Sequence, residues 1–112
     1  MKHILTSMVF MVLLLPALAL GETMDDLVYR DGLFYKKFTV VPFTGKITGN
    51  TQGTFRHGKE HGPWVTYWGN GQLRWKGTYK DGKRDGPWVS YHEDGTVDEK
   101  YTGTFKYGKK VK

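Results

Sequence analysis

The sequence contains no cysteine. That excludes disulfides, thiol catalysis, thiolate metal sites and lipid attachment at an N-terminal Cys. Small exported domains often use disulfides as staples, so this chain has to be held by packing and by turn chemistry. Helical periodicity is absent beyond the first twenty or so residues, and no second long apolar run follows. At 112 residues the chain has room for one small domain at most. What it has in quantity is glycine, 15 residues, and aromatics, 15%. That pairing fits short strands punctuated by turns and argues against a disordered Gly-rich tail. The net charge of +6 permits anionic partners without demanding them.

Residues 1–21 differ from the rest. Met1-Lys2-His3 is a short basic start, Ile4 to Leu15 is apolar apart from Thr6 and Ser7, and Pro16-Ala17-Leu18-Ala19-Leu20-Gly21 follows. A basic start, an apolar run and small residues at the −3 and −1 positions make a secretory signal. Ala17/Ala19 allows cleavage after Ala19, and Ala19/Gly21 allows it after Gly21. The apolar run falls short of the ~20 residues a spanning helix needs. Cleavage removes Lys2 and takes the charge from +6 to +5. The mature chain is expected to be soluble and periplasmic or extracellular.

The remainder is a repeat, a signal to be sought before any other. Residues 53–76 read GTFRHGKEHGPWVTYWGNGQLRWK, and 77–100 read GTYKDGKRDGPWVSYHEDGTVDEK. Eleven of the 24 aligned positions are identical, among them Gly53/Gly77, Gly58/Gly82, Gly62/Gly86, Pro63/Pro87, Trp64/Trp88, Tyr67/Tyr91 and Gly71/Gly95. A further copy opens at Gly103-Thr104-Phe105 and is cut off, with two residues inserted near Tyr101-Thr102. Gly32 to Gly45 reads as a degenerate copy, with Pro42-Phe43 in the place of Pro63-Trp64. The expected organisation is a signal over 1–21, an N-terminal segment with a degenerate first repeat over 22–52, repeats over 53–76 and 77–102, and a truncated unit over 103–112.

Each unit reads as two strands and two turns. Trp64-Val65-Thr66-Tyr67-Trp68 is β-branched and aromatic, Gly69-Asn70-Gly71-Gln72 carries a hairpin signal, and Leu73 to Lys80 is the return strand. Asp81 to Gly86 reads as a longer turn, and Asp94-Gly95 repeats the tight one. Asn70-Gly71 and Asp94-Gly95 are expected as type I′ turns. Gly58, Gly62, Gly82 and Gly86 fall in the longer turns. Alternation puts Leu73, Trp75, Gly77 and Tyr79 on one face of the return strand and Arg74, Lys76 and Thr78 on the other. In the next unit Val97, Glu99, Tyr101, Gly103 and Phe105 are expected to alternate likewise. The expected fold is all-β, an antiparallel meander of hairpin repeats forming one elongated, twisted sheet. Trp64, Tyr67, Tyr79, Trp88 and Tyr91 are its structural aromatics.

The unit G-T-[FY]-x-x-G-K-x-x-G-P-W-x-x-Y-x-x-x-G-x-[LV] resembles the MORN repeat variant and is similar to the arrays of YwqK-family antitoxins. The stretch Val28-Tyr29-Arg30-Asp31-Gly32-Leu33-Phe34-Tyr35, with Pro42-Phe43-Thr44-Gly45, resembles the opening of those arrays. The resemblance covers about residues 28–110. It implies a repeat fold of hairpins and a scaffold for binding proteins, for dimerisation or for membrane association. The export signal departs from it, since neutralising a cytoplasmic toxin requires staying in the cytoplasm.

His57-Gly58-Lys59-Glu60-His61 matches the zinc-peptidase string H-x-x-E-H. That chemistry needs a helix, whereas Gly58 interrupts this stretch and Gly62-Pro63 closes it. The sister unit has Asp81 and Asp85 where His57 and His61 stand, so the stretch reads as a polar turn and not as a metal site. Glu93, Asp94, Asp98 and Glu99 read as a solvated hairpin end. No nucleophile, acid–base pair, phosphate-cradling loop or cofactor motif is found, and the chain reads as non-enzymatic. Trp68 and Trp75 stand where the sister unit has His92 and Glu99. Large aromatics that the repeat does not require, beside Arg74 and Lys76, are the binding candidates. Lys106, Lys109, Lys110 and Lys112 protect a sheet edge. The expected role is binding another protein. The alternative is an envelope module holding anionic lipid or glycan through Trp and Lys, and export argues against nucleic acid. The mature chain should begin at Leu20 or Glu22. Intact-mass measurement on protein from the native envelope checks this, and a membrane-bound species retaining Met1 to Ala19 contradicts it.

Overall fold

The computed structural model describes residues 21–112, so the expected signal segment lies outside the described residues apart from Gly21. Twelve strands make up most of it: β1 (Glu22–Thr23), β2 (Leu27–Arg30), β3 (Leu33–Lys36), β4 (Gly45–Thr48), β5 (Thr51–Arg56), β6 (Lys59–Glu60), β7 (Gly62–Tyr67), β8 (Leu73–Lys80), β9 (Lys83–Arg84), β10 (Gly86–Ser90), β11 (Gly103–Lys106) and β12 (Lys109–Lys110). Two short 3-10 turns, Met24–Asp26 and Glu99–Tyr101, are the only helical pieces among the described residues. The fold is all-β. No helix among the described residues is long and apolar enough to cross a membrane.

One ten-stranded sheet runs in the order β1-β4-β5-β7-β8-β10-β11-β12, with β6 paired to β5 and β9 paired to β8. From β4 onward the pairings are antiparallel, while β1 joins β4 in parallel. A second sheet holds only β2 and β3. The expected single sheet is therefore accompanied by a small one, set apart by the segment Lys37–Thr44. That segment is longer than its counterparts later in the chain: nine residues separate Gly32 from Pro42, against four between Gly58 and Pro63.

The register explains the repeated glycines at 53 and 77. Trp64 is the direct partner of Gly77, and its ring folds back over Gly53; Trp88 is the partner of Gly103, and its ring folds back over Gly77. A Cβ at Gly53 or Gly77 would overlap the indole lying on it. Each Trp is thus seated on bare backbone contributed by the strand before it. Both are buried, in one core with Leu27, Ile47, Phe55 and Phe105.

Tilted and edge-on ring contacts carry this core from unit to unit. Phe34 meets Phe55 at 5.0 Å, Phe55 meets Trp64 at 5.4 Å, Trp64 meets Tyr79 at 5.2 Å, and Tyr79 meets Trp88 at 4.9 Å. Phe43 also packs edge-on against Phe55 at 5.7 Å, so the degenerate first copy uses its Phe where later copies use Trp. Such pairs add about 0.5–1.5 kcal/mol each beyond the area they bury. The row joins the small sheet to the large one through Phe34. Trp88 Nε1 donates to Thr78 O at 2.9 Å, which satisfies its one polar atom.

The turns exchange the roles expected of them. Asp31-Gly32, His57-Gly58, Asp81-Gly82 and Tyr107-Gly108 have positive φ at both residues, 52° and 84° in the first and 49° and 83° in the third. These are the type I′ turns, and short β6, β9 and β12 are their return strands. What reads as one long turn from Asp81 to Gly86 is a tight hairpin followed by a bulge at Asp85-Gly86. The Asn70-Gly71 and Asp94-Gly95 turns are not type I′. Only Gly71 and Gly95 have positive φ there, 89° and 91°, and Gly71 N donates to Trp68 O at 2.9 Å. That is a three-residue loop, a type I turn closed by a left-handed glycine. The Asn70 and Asp94 side chains brace it by accepting from Gln72 N and Thr96 N.

The two-residue insertion also changes the second unit. Val97 makes a single bridge to Tyr91, and the chain then enters the 3-10 turn Glu99–Tyr101 before β11. The expected alternating strand from Val97 to Phe105 is therefore broken, and Glu99 does not occupy the slot of Trp75. The seating of indole on glycine yields a direct test. Gly77→Ala should cost about 1–3 kcal/mol or more, because the indole cannot move aside cheaply. Gly69→Ala, with open space around it and no positive φ, should leave the urea midpoint nearly unchanged.

Candidate functional site

The residues that depart from the repeat converge at one end of β8. Trp75 sits on the core face of β8 between Thr66 of β7 and Ser90 of β10, its direct partners on either side. Both neighbours are small, hydroxylated and buried, which leaves room for a large ring above them. Trp68 follows the irregularity at Thr66/Tyr67 that ends β7. Its Nε1 donates to Tyr91 O at 3.1 Å and ties the indole to the end of β10. Asn70 Nδ2 donates to Glu93 O at 3.1 Å, so the two neighbouring hairpin tips are fastened together.

Arg74 lies over both indoles, its guanidinium carbon 4.1 Å from the Trp68 ring centre and 4.3 Å from that of Trp75. A planar guanidinium stacked this way keeps its in-plane N–H groups free for other partners. Arg84, from β9, covers Trp88 at 4.6 Å and Phe105 at 5.2 Å, and stands 5.9 Å from the Trp75 ring. Among the described residues neither Arg74 nor Arg84 forms an ion pair. These groups, with Ser90, Tyr91, His92, Asp98 and Tyr101, line a cleft of about 340 Å³. Asp98 Oδ1 accepts from Lys100 N at 3.1 Å, and its Oδ2 stands 4.0 Å from His92 Nδ1. Trp75 Nε1 is buried and has no hydrogen-bond partner. An indole N–H left so costs about 1–3 kcal/mol.

Of the four expected binding residues, the fold brings together Trp68, Arg74 and Trp75. Lys76 points from the other face of β8 and lines a wider, shallower trough of about 540 Å³ with Lys46, Pro63 and Val65. That trough is larger but open, and its walls include Trp64 and Ile47 with the stems of Lys46 and Lys76. The cleft is smaller and has the converging polar groups that recognition needs. Of the expected structural aromatics, Trp64, Tyr79 and Trp88 stand in the packed row, while Tyr67 and Tyr91 are half-buried outside it. Gly58 and Gly82 close type I′ turns, and Gly62 and Gly86 form the bulges after them.

Arg84, Ser90, His92 and Tyr101 complete the cleft without having been singled out as binding residues, and Asp98 joins them from the carboxylates read as a solvated hairpin end. Arg84 was open to the argument that picked out Trp75, because Glu60 holds its place in the sister unit. Glu60 is half-buried, and that burial raises its carboxyl above the ordinary value of 4.5, against a smaller opposing effect of its own backbone hydrogen bond. The H-x-x-E-H string is split by the type I′ turn: His57 N donates to Thr44 Oγ1, and His61 Nδ1 accepts from Asp81 N at 3.3 Å.

No family model matches the chain, and no curated protein matches it in sequence.

The expectation that Trp75 is dispensable for folding needs correction. It rested on Glu99 as the equivalent residue, and the 3-10 turn removes that equivalence. Trp75 packs against the buried core. Trp75→Ala should therefore lower the urea midpoint, by less than the ~3–5 kcal/mol equivalent of Trp64→Ala. Trp68→Ala should shift it by less than about 1 kcal/mol, because that ring borders solvent at the end of β7. Equal midpoints for Trp68→Ala and Trp64→Ala would remove Trp68 from the site and place it in the core.

Proposed function

We propose that the chain is an exported, non-enzymatic MORN-like repeat protein, similar in its repeat to YwqK-family antitoxin arrays, that works as a protein–protein interaction module. The repeated aromatics hold the sheet, and the residues that break the repeat bind the partner. The observation that carries this reading is the cleft at the end of β8. It gathers two guanidinium groups without ion pairs, two indoles and an indole N–H without an acceptor, on a scaffold braced by paired hairpin tips. Aromatic and arginine side chains in a partly desolvated pocket are the usual anchors of protein interfaces. Ser90, His92 and Asp98 share the cleft, but the Ser90 hydroxyl donates to Tyr101 O at 3.3 Å.

One observation favours a second reading, an envelope module resting on lipid. Phe38, Val40 and Val41 stand out in solvent on the long segment between the sheets, and Phe38 has a φ of 66°, which a bulky residue adopts only at a cost. Basic side chains near that segment, Arg30, Lys36 and Lys37, are offset by Glu22, Asp25 and Asp26; Arg30 donates to Thr39 O at 2.7 Å, and Lys36 is paired with Glu22 at 2.8 Å. Charge therefore adds little there, and the first reading stands ahead.

Capture from native envelope extract separates the two. The mature chain should retain a partner protein in stoichiometric amount, and Trp68→Ala, folded to the same midpoint, should lose it. Retention unaffected by Trp68→Ala, together with sedimentation on lipid vesicles that Phe38→Ser abolishes, would replace the first reading with the second.

A further inference from the structure

We infer that the cleft at the end of β8 is a carboxylate site, and that the group it takes is an acidic side chain of a protein partner. The inference rests on the interaction-module reading and adds the chemistry of the contact. Three features point to an anion. Arg74 and Arg84 line one cleft without an ion pair. The Trp75 ring lines that cleft, and its buried indole N–H lacks an acceptor among the described residues. Asp98, the carboxylate already present, accepts from Lys100 N at 3.1 Å through one of its oxygens. Two arginines against one aspartate leave a single positive charge, which a monoanion balances. A doubly charged phosphate would meet Asp98 with more repulsion than one carboxylate does. The flat, two-oxygen carboxylate also matches the forked N–H edge of a stacked guanidinium.

A sugar acid is disfavoured by the same geometry. Saccharide rings bind by laying a face on an aromatic side chain, and Arg74 already covers both Trp68 and Trp75, at 4.1 and 4.3 Å. What remains accessible is the edge of the guanidinium, which suits a carboxylate on a flexible stem.

The four Trp residues give four indole N–H signals in a proton–nitrogen spectrum of the mature, nitrogen-15-labelled chain. The Trp75 signal is identified by its loss in Trp75→Phe. Titration with a triglutamate peptide should move that signal, and a triglutamine peptide should bind at least about tenfold more weakly. Arg74→Gln and Arg84→Lys should each weaken triglutamate at least about tenfold while the rest of the spectrum stays folded. The inference is overturned if triglutamate leaves the Trp75 signal in place, if triglutamine matches it, or if glucuronate or inorganic phosphate binds more tightly. Should triglutamate fail while capture of the envelope partner still depends on Trp68, the module reading stands and the carboxylate assignment falls. Loss of both results removes both.

Discussion

Everything in this molecule depends on a large ring being laid on a strand that has no side chain beneath it. An isolated sheet face this thin has little to bury, and a chain without disulfides has no covalent substitute. Placing Trp64 on Gly53 and Trp88 on Gly77 solves the problem locally. The glycine gives up β propensity and backbone entropy, and in return the indole lies flat against peptide groups and the next ring reaches it edge-on. The core is thereby a row instead of a globule. It runs from Phe34 to Trp88, one ring per strand or turn.

That economy also fixes where a cleft can form. A row built from repeated slots has identical walls at each step, so a distinct cleft needs positions where the sequence leaves the pattern. Trp75 replaces nothing in the row; it fills the level above it, over Thr66 and Ser90. Arg84 stands where the preceding unit has Glu60, and it turns a side chain that would be acidic into one that covers Trp88 and Phe105. The 3-10 turn at Glu99–Tyr101 closes the side that an unbroken strand would have left open. Departure from the repeat and construction of the cleft are the same events.

How much of this was legible follows from which interactions are local. β7, β8 and β10 lie where alternation and β-branched composition put them, because the signals for a strand are contained within it. Trp68, Arg74 and Trp75 were visible as exceptions to a repeat. The turn types were not, since Asn-Gly fits both a two-residue and a three-residue loop, and only the pairing of Trp68 with Gln72 distinguishes them. Asp81-Gly82 hid its tight turn because the return strand after it is two residues long. The place of Asp98 and Tyr101 in the cleft was beyond reach for a plainer reason: the 3-10 turn that Asp98 caps and Tyr101 ends brings them there, and two inserted residues do not announce the shape they take.

The stacking of one hairpin turn on the previous return strand has a bearing on how the chain is made. Gly82 N donates to Glu60 O at 2.8 Å, and Gly108 N donates to Arg84 O at 3.0 Å. Each unit thus docks on the one already in place and asks nothing of those still to come. Contacts so close in sequence favour fast folding and let it start at one hairpin and spread. A chain that leaves a channel N-terminus first can therefore complete its sheet strand by strand, with no long interval in which an unpaired aromatic face waits for a distant partner.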